Sequence, residues 1–416
     1  MVRAGSLPIF SSETGLSVET MRKSIAVVAL SLALSLWAGL TVAADSLTLA
    51  IPLPLTGKQA KFGEIERRAY EIALEEINAQ GGIKGRQLVL RFEDSQGKPE
   101  KARYIAEKLI NVDKQPVLFG EYNSSCSKAM ATVAEGRKVP CLVVTGAADG
   151  ITRQKNTYVY RLCPPNAFYS IGLMSFMEQV VRPESMAILY ESSDFGISGA
   201  EEMARSAQAA GIRVLVNERY EKGAVDFKPV LSRVKDADPD IIYMVSYVMD
   251  ASLLMRQIME LDIEAKLFAG GAAGFAIPEF IENAGKASEY VVTASLWSPQ
   301  LPYKGAREFA EKYTIRYGTS PSYHGAEAYA ALYVIKDVLE RAASLSPEDI
   351  NTAMKATNLE TAFGPVRFVD ADGYQNQNFL DTYMLQVLNG RHETVWPEKY
   401  ASARYVYPIP RWGNRF

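Results

Sequence analysis

Residues 47–94, LTLAIPLPLTGKQAKFGEIERRAYEIALEEINAQGGIKGRQLVLRFED, decide the fold class of this chain. The opening segment LTLAIPL is a short apolar run, which favours a buried strand, and a loop follows at Thr56-Gly57. Apolar residues then recur every three or four positions up to Gly81-Gly82, which predicts an amphipathic helix. They are Ile65, Ala69, Ile72, Ala73 and Ile77. Because QLVLRFED favours a second strand, the stretch predicts a right-handed βαβ unit with parallel strands.

The alternation of strand and helix continues along the chain. Pro99 lies in the first turn of the next predicted helix, and the strand PVLFG, a further helix and the strand VPCLVVT follow it. The alternation of strands and helices restarts after Pro164-Pro165 with the strand segments MAILYE, IRVLVNERY, DIIYMVSY and AKLFAG. Residues 305–344 have a helical pattern without a long strand, so they must pack on one of the sheets. We therefore predict an α/β protein of two units, each a parallel sheet covered by helices on both faces.

Composition and charge narrow the classes of partner. The chain has 416 residues, of which 48% are hydrophobic, so it can bury a large core and is long enough for about two domains. A formal net charge of -3 gives no basis for binding nucleic acid or a membrane surface. We expect neither as a partner.

Residues 1–44 have the pattern of a secretory signal peptide preceded by an upstream extension. Met21-Arg-Lys supplies a basic start, IAVVALSLALSLWAGL supplies an apolar core, and the small residues up to Ala44 supply a cleavage site. Met21 is the expected start of translation. A membrane anchor is the less favoured alternative, because the apolar core is short for a membrane span. No cysteine lies near the predicted cut, so we expect an exported protein without a lipid anchor.

Motifs of the common catalytic classes are missing from the sequence. The first strand is not followed by GxGxxG, and the chain has no GxxxxGK[ST], GxSxG or HExxH motif. Its two histidines, His324 and His392, stand outside any motif with a nucleophile, and there is no Cys/His cluster. We therefore expect a protein that is not an enzyme and needs no cofactor or metal. The DADG segment at 370–373 predicts a hairpin turn, and pairing among the three cysteines stays open.

The segment EYNSSCSKAMA at 121–131 places Tyr, Asn and Ser residues between a strand and a helix. A Ser at the helix N-terminus could be a plain cap, since its side chain accepts a backbone N–H bond. A ligand site is the alternative, because helix N-termini beyond the carboxyl ends of parallel strands bind anions. Lys128 favours this alternative: the helix dipole disfavours a cation in the first turn, and a bound anion would offset it.

The order of several segments resembles that of one protein family. IPLPLTGKQAKFGE, VLFGEYNSS, VPCLVVTGAADGIT, YVYRLCPPN, DFKPVLSRVK, AEAYAALYVIKDVLERA and FGPVRFVDADG follow one another between Leu47 and Asp381. In this order they resemble the leucine/isoleucine/valine-binding protein family, the periplasmic receptors of ABC importers. The resemblance implies the type I periplasmic binding fold, in which two Rossmann-like lobes joined by three hinge crossovers close on a ligand like a Venus flytrap. It also implies a periplasmic monomer whose partners are a small carboxylate-bearing ligand and ABC permease subunits.

The family's organisation sets the expected lobe boundaries. The N-terminal lobe should comprise residues 45–163 and 297–362, and the C-terminal lobe residues 164–296 and 363–416. The crossovers are expected at residues 162–166, 293–297 and 362–365. Ligands of such folds settle beyond the carboxyl ends of the strands, so the cleft between the lobes is the expected site.

The resemblance also implies individual site residues. One group matches the positions that hold the carboxylate end of the ligand: Ser124, Ser125, Thr145, Ala147, Ala148 and Asp149. The resemblance implies aromatic side chains in the cleft from both lobes, at Phe62, Phe195 and Tyr247, and we expect Tyr122 to line the cleft with them. For Phe62 and Phe195 the alternative is a buried ring that only packs in the core.

Ala272 departs from the family pattern. Amino-acid binders of the family have an acidic residue at this position, in the turn after AKLF, where it pairs with the ligand ammonium. Because an unpaired buried charge is costly, Ala272 favours an aromatic or branched acid without an α-ammonium over leucine or valine. Asp149, Glu121 and Asp250 could still pair with an ammonium, so branched-chain amino acids and amides stay open as ligands. A ligand-sensing receptor of the same fold and, less favoured, an exported hydrolase stay open as functions.

Overall fold

The structure is a computed structural model that describes residues 46–415, together with Met1. Apart from Met1, the signal sequence and cleavage site predicted within residues 1–44 lie outside the described residues. None of the helices in the described part of the chain combines the length and the apolar composition needed to cross a bilayer.

The first lobe is built on the strands that the sequence predicts in the first half of the chain. They are β1 (Leu47–Leu53), β2 (Leu88–Asp94), β3 (Leu118–Gly120), β4 (Cys141–Val143) and β5 (Val159–Arg161). β1 pairs in parallel with β2, and β3, β4 and β5 pair in parallel with one another. The Glu121 N–H joins the two groups by donating to the Pro52 carbonyl at 2.9 Å. The helices between these strands are α1 (Ala60–Ala79), α2 (Pro99–Asn111) and α3 (Ser124–Arg137).

The second lobe repeats the pattern with a larger sheet. Its parallel strands are β6 (Ser185–Glu191), β7 (Arg213–Tyr220), β8 (Ile241–Val245), β9 (Leu267–Gly270) and β10 (Val292–Ser295). Its helices are α4 (Asn166–Phe176), α5 (Asp194–Ala209), α6 (Lys228–Ala237), α7 (Val248–Glu260) and α8 (Pro278–Ala284). In space the strands are ordered β7-β6-β8-β9-β10, so the order reverses between β6 and β8. Ligands of open α/β sheets settle at such a reversal, beyond the carboxyl ends of the strands.

The helical block predicted at 305–344 packs on the first lobe. It contains α9 (Ala306–Tyr317) and α10 (Tyr323–Arg341), and α11 (Pro347–Lys355) follows it. α10 lies along α1, where the hydroxyls of Tyr329 and Tyr333 donate to Glu76 Oε2 at 2.6 and 2.5 Å. The chain therefore returns to the first lobe after β10.

The last passage between the lobes differs from the prediction. Before it come the short strands β11 (Asn358–Thr361), β12 (Gly364–Arg367), β13 (Val369–Ala371) and β14 (Tyr374–Gln377). β14 pairs in parallel with β5, and Arg161 Nε donates to Gln377 Oε1 at 2.6 Å. The first lobe thus keeps the chain up to Gln377, which corrects the boundary expected at 362 and the crossover expected at 362–365. Side-chain amides hold the polar YQNQ strand in the sheet, so an apolar pattern could not assign it.

Two antiparallel hairpins extend the parallel sheets at their edges. β13 and β14 form the hairpin predicted at DADG, where Asp372 and Gly373 have φ angles of 53° and 81°, as a two-residue type I′ turn requires. In the second lobe β15 (Tyr383–Leu388) pairs antiparallel with β10, and β16 (Arg391–Trp396) with β15. Each lobe is thus a mainly parallel sheet with helices, and the predicted α/β fold of two Rossmann-like lobes is confirmed.

Candidate functional site

The junction between β3 and α3 turns sharply at the carboxyl edge of the first sheet. Gly120 ends β3 with a φ of 115°, and a β-carbon there would lie 2.6 Å from Cγ2 of Ile51. Glycine fits both this backbone conformation and this gap. Glu121 follows with a φ of 57°, and the chain then places the ring of Tyr122 against Tyr247 of the second lobe.

Asn123, rather than a serine, caps α3. The Cys126 N–H donates to Asn123 Oδ1 at 2.9 Å, and Asn123 Nδ2 donates to Gln59 Oε1 at 2.8 Å. Asn is among the strongest helix caps, because its side-chain oxygen accepts one of the otherwise unpaired N–H groups of the first turn. Plain capping therefore does not account for Ser124 and Ser125.

The two serines make contacts outside their own helix. Ser124 Oγ accepts from the Ala148 N–H at 3.0 Å, which ties α3 to the loop after β4. Ser125 Oγ donates to Asp194 Oδ2 at 2.7 Å, and Lys128 Nζ lies 3.1 Å from Asp194 Oδ1. Asp194 begins α5 of the second lobe. The anion beside Lys128 is thus a carboxylate of the protein, which differs from the expectation that a bound anion offsets this cation.

The loop that follows β4 is buried and already engaged by hydroxyl groups. The Thr145 hydroxyl lies 3.1 Å from Glu66 Oε1 and 3.0 Å from the carbonyl oxygen of Tyr122. Asp149 accepts hydrogen bonds from the hydroxyls of Tyr374 and Ser198, the second at 2.7 Å. Ala147 and Ala148 are buried beside them. Asp149, which the sequence offered as a partner for a ligand ammonium, instead connects the first lobe with Ser198 of the second.

The predicted aromatic residues meet in one group that spans both lobes. The rings of Phe62 and Tyr122 stack at 4.2 Å with an interplanar angle of 11°. Tyr122 lies 5.8 Å from Tyr247, which lies 5.4 Å from Phe195. Phe195 follows β6 and Tyr247 follows β8, the two strands at which the order of the second sheet reverses. All four rings are buried.

Two ring residues of α10 complete this group and were missed by the sequence analysis. His324 packs at 5.0 Å from Phe62 and 5.4 Å from Tyr122, and Tyr323 stacks on His324 at 3.8 Å. The Tyr323 hydroxyl accepts from the Ala273 N–H at 2.9 Å. This bond brings Ala272, which is fully buried at a φ of 60°, to the edge of the group. We call the following residues the ring cluster: Phe62, Tyr122, Phe195, Tyr247, Tyr323 and His324.

Two buried glutamates beside the ring cluster were also missed. Glu66 lies in the buried stripe of α1, and Glu327 lies in the buried stripe of α10. The available signal was an acidic residue at an apolar helical position. Phe62, Glu66, Ala69, Tyr70 and Ala73 share one face of α1, and Tyr323, Glu327, Ala330, Val334 and Val338 share one face of α10. We call Glu66 and Glu327 the glutamate pair.

The glutamate pair has little to stabilise its charges. Both side chains are 0% exposed, and neither oxygen of Glu327 nor Oε2 of Glu66 makes a hydrogen bond within the described chain. Burial raises the pKa of Glu66, and burial followed by the charge of Glu66 raises the pKa of Glu327. Burial also raises the pKa of nearby Glu121 to about 7 and lowers that of His324 to about 3. His324 is therefore neutral at physiological pH.

Polar contacts join the lobes around the mouth of the cleft. Besides the Asp194 and Asp149 contacts, Arg153 Nη1 lies 2.8 Å from Glu202 Oε1. These residues surround a groove of 280 Å³. We call the following set the rim: Ser125, Lys128, Asp149 and Arg153 of the first lobe with Asp194, Ser198 and Glu202 of the second. In this structure the rim holds the two lobes in contact.

Asp250 is hydrogen-bonded within the second lobe, and the three cysteines are buried. Asp250 Oδ2 accepts from the Gly223 N–H at 2.8 Å. Cys126, Cys141 and Cys163 are free and buried, which answers the question of their pairing. Within the described residues, no group of three or more His, Cys, Asp or Glu side chains is arranged to hold a metal ion.

Comparison with known proteins agrees with this architecture. The family model described as periplasmic binding protein matches residues 46–391. The Leu/Ile/Val-binding protein homolog 7 of Brucella suis is 26% identical over 396 residues, which cover 92% of this chain and 99% of that protein. The family match thus spans most of the chain.

Two solved structures share the fold. A leucine-binding protein from Thermotoga maritima has a TM-score of 0.76 and 25% identity, over 84% of this chain and 97% of that one. A solute-binding protein of an ABC transporter from R. palustris, in complex with benzoate, has a TM-score of 0.74 over 87% of this chain and 98% of that one. With 18% identity, the second likeness concerns the fold alone. The chain belongs to the periplasmic binding protein family, and within it to the group of the leucine/isoleucine/valine-binding proteins.

Proposed function

We propose that this chain is the exported substrate-binding protein of an ABC importer, which captures a small carboxylate-bearing organic molecule between its lobes. The observation that carries the proposal is the ring cluster, in which Tyr122 of the first lobe faces Tyr247 of the second at 5.8 Å. A ligand held there touches both lobes and so stabilises the closed arrangement relative to an open one. A branched-chain amino acid, an amide or an aromatic or branched acid fits this description.

The carboxylate end of the ligand is assigned to the N-terminus of α3. The first backbone N–H groups of a helix and its dipole favour an anion. Ser124 and Ser125 stand at this terminus, and the loop from Thr145 through Ala147 and Ala148 to Asp149 lies beside it. In this assignment the ligand competes with the present partners of these groups, such as the bond from Ala148 to Ser124. The apolar part of the ligand is assigned to the side of Ala272.

The partners and location follow from the same role. The proposed signal sequence in residues 1–44 would export the chain to the periplasm without a lipid anchor, where it acts as a monomer. The proposed partners are the ligand and the permease subunits of the inner membrane. The names of the relatives support this assignment, since one is a Leu/Ile/Val-binding protein homolog and another a leucine-binding protein. Benzoate in a third protein of this fold means that side chains, rather than the fold, select the ligand.

A thermal-shift screen of the mature chain tests the proposal. The panel comprises branched-chain and aromatic amino acids, short amides, and branched and aromatic carboxylates. A ligand present at a hundred times its dissociation constant stabilises the folded protein by about 2.7 kcal/mol, which raises the melting temperature measurably. We expect one chemical class to do so, without turnover. Hydrolysis of ester or amide probes, with no stabilisation by any member of the panel, would contradict the proposal.

A further inference from the structure

The glutamate pair lies directly behind the ring cluster. Glu66 follows Phe62 by four residues, and Glu327 follows Tyr323 by four and His324 by three. Helical residues at these spacings share a face, and side chains lean towards the N-terminus of their helix. Both carboxyl groups therefore point back towards the rings. The Thr145 hydroxyl, 3.1 Å from Glu66 Oε1, connects the pair to the proposed carboxylate end of the site.

The glutamate pair is not neutralised by a basic residue in the core. No Lys or Arg of the described chain lowers the pKa of either carboxyl group, and Glu121 adds a further acidic neighbour to Glu66. The hydroxyls of Tyr70 and Tyr122, buried at the same place, also make no hydrogen bond within the described chain. Buried polar atoms are nearly always hydrogen-bonded in folded proteins. Three acceptor oxygens of the pair and two hydroxyls without partners in one cluster thus indicate a position built for a hydrogen-bonding ligand group.

The chemistry of this position selects among ligand groups. A ligand carboxylate pairs only with carboxyl groups that both keep their protons, since an ionised one repels it, and an uncharged apolar group leaves the oxygens unpaired at a cost. A quaternary ammonium could use the ring faces but has no N–H to donate to the carboxyl oxygens. A cation with N–H groups satisfies both requirements, since it donates to carboxylate oxygens and its charge is favoured next to ring faces.

We infer that Glu66 and Glu327 form a subsite for a positively charged nitrogen bearing N–H groups, so that the ligand is an ammonium or amidinium compound whose apolar part contacts the ring cluster. This inference rests on the proposed role of the cleft as the ligand site. Ala272 alone favours a ligand without an ammonium, and this inference replaces that expectation. The acidic partner of the ammonium comes from α1 and α10 of the first lobe instead of from the turn after β9. Glu66 and Glu327 are then specificity-determining residues.

Proton release on binding is the direct test. A carboxyl group that holds its proton in the free protein must lose it when it pairs with a cation. Titration calorimetry at neutral pH, in two buffers of different ionisation enthalpy, measures this proton for three matched probes: leucine, 4-methyl-2-oxopentanoate and 3-methylbutylamine. The phenylalanine, phenylpyruvate and phenethylamine series extends the set. We expect the nitrogen-bearing probes to bind with net release of a proton, and the oxo acids to bind weakly or not at all.

Substitutions of Glu66 and Glu327 test whether these residues bind the cation and release the proton. Glu327→Gln and Glu66→Gln keep the shape of the protonated side chain, so folding is preserved, and each should weaken the nitrogen-bearing probes roughly ten- to a hundredfold and remove proton release. Glu76→Gln is the matched control, because Glu76 lies on α1 about 15 Å along the helix from Glu66. It should leave affinity and proton release unchanged.

Distinct results separate the cation subsite from the proposed function. Oxo acids that bind as tightly as the amino acids, nitrogen-bearing probes that bind without proton release, or failure of every nitrogen-bearing probe to bind would each overturn the cation subsite. An oxo acid that binds as tightly as its amino acid and closes the lobes would overturn the subsite while leaving the proposed function intact. A bound probe of either class that produces no lobe closure would instead overturn the proposed function.

Discussion

We call the ring cluster together with the glutamate pair the floor of the cleft. Acidic side chains are paired at the rim of the cleft and unpaired at its floor. At the rim, each acidic side chain has a donor from the other lobe, as Asp194 has Ser125 and Lys128. The ion pair of Lys128 and Asp194 is also accessible to water, since these side chains are 50% and 37% exposed. At the floor, Glu66 and Glu327 are fully buried and carry unpaired oxygens.

This difference separates contacts that hold the lobes together from groups that recognise a ligand. Exposed ion pairs are screened by solvent and contribute little to stability, so the Lys128–Asp194 pair at the rim suits a contact that must form and break. Buried unpaired carboxyl groups destabilise the free protein, and strongly perturbed carboxyl groups cluster at functional sites. We therefore expect substitutions in the floor to have large effects and substitutions at the rim to have small ones.

The largest effect on stability is expected from Phe62→Ala. Phe62 is fully buried and loses its stack on Tyr122 and its contact with His324, so the free energy of unfolding should fall by about 3–5 kcal/mol. Urea unfolding followed by circular dichroism measures the change. Tyr104→Ala, at a ring that is 68% exposed on α2, is the control and should shift stability by about 0.5 kcal/mol or less. A loss below about 1 kcal/mol at Phe62 would show that the ring cluster does not pack as described.

The second expected effect is a dependence of stability on pH that Glu327→Gln reduces. Burial raises the pKa of the glutamate pair, and that of Glu121 to about 7, so the folded state binds more protons than the unfolded state above the unfolded pKa of about 4.3. Stability therefore falls as pH rises, by about 1.4 kcal/mol per pH unit for each such proton. Removing Glu327 should make this slope shallower.

Chemical unfolding at several values between about pH 6.5 and 8.5 measures that slope. Burial lowers the pKa of His324 to about 3 and that of His392 to about 4, so both stay neutral in the folded state throughout this range. Glu76→Gln is again the control, because hydrogen bonds from Lys312 and two tyrosines outweigh burial and lower the pKa of Glu76. Equal slopes for the wild type and Glu327→Gln would mean that Glu327 does not hold an extra proton.

A smaller effect distinguishes the cap of α3 from its neighbour at the rim. Asn123→Ala removes the acceptor of the Cys126 N–H and should cost about 1 kcal/mol of stability. Ser125→Ala removes a half-buried contact to Asp194 and should cost less, because it leaves the cap in place. Thermal unfolding of both variants gives the order. The opposite order would make Ser125 the residue that stabilises the helix terminus.

The smallest effect is expected from the ion pair at the rim. Lys128→Met breaks the 3.1 Å contact with Asp194, and exposed pairs of this kind contribute about 0.2–1 kcal/mol. The difference between variant and wild type should shrink as salt is raised, since salt screens exposed charges. Unfolding at low and high salt checks this. A loss that persists at high salt would place the pair in a drier environment than its exposure indicates.

The same contrast between regions explains how much of the fold could be predicted from the sequence. Apolar periodicity predicted the parallel strands and their helices, because burying one face of a helix imposes a repeat that is visible without a structure. The pairing of β14 with β5 could not be predicted in this way. Asn376, Gln377 and Asn378 are held by side-chain hydrogen bonds to the edge of β5, and such bonds leave no periodic pattern.

Only part of the candidate site was predicted from the sequence. The family resemblance implied Phe62, Phe195 and Tyr247, and the structure brings their rings together with that of Tyr122. The partner of Lys128 lies 66 residues away on the other lobe, beyond the reach of local helix rules. Glu327 was missed although the sequence contains its signal. It interrupts the buried stripe of α10, and a charged residue there favours function over packing.

Small-angle X-ray scattering with and without ligand tests whether capture of the ligand closes the two lobes. The free protein should populate an open form in which the rim contacts are separated, and ligand should draw the lobes together through the floor. Saturating ligand should reduce the radius of gyration and give a scattering profile that matches this structure, in which Asp194 meets Lys128 across the rim. An unchanged radius of gyration at full occupancy would contradict capture by lobe closure.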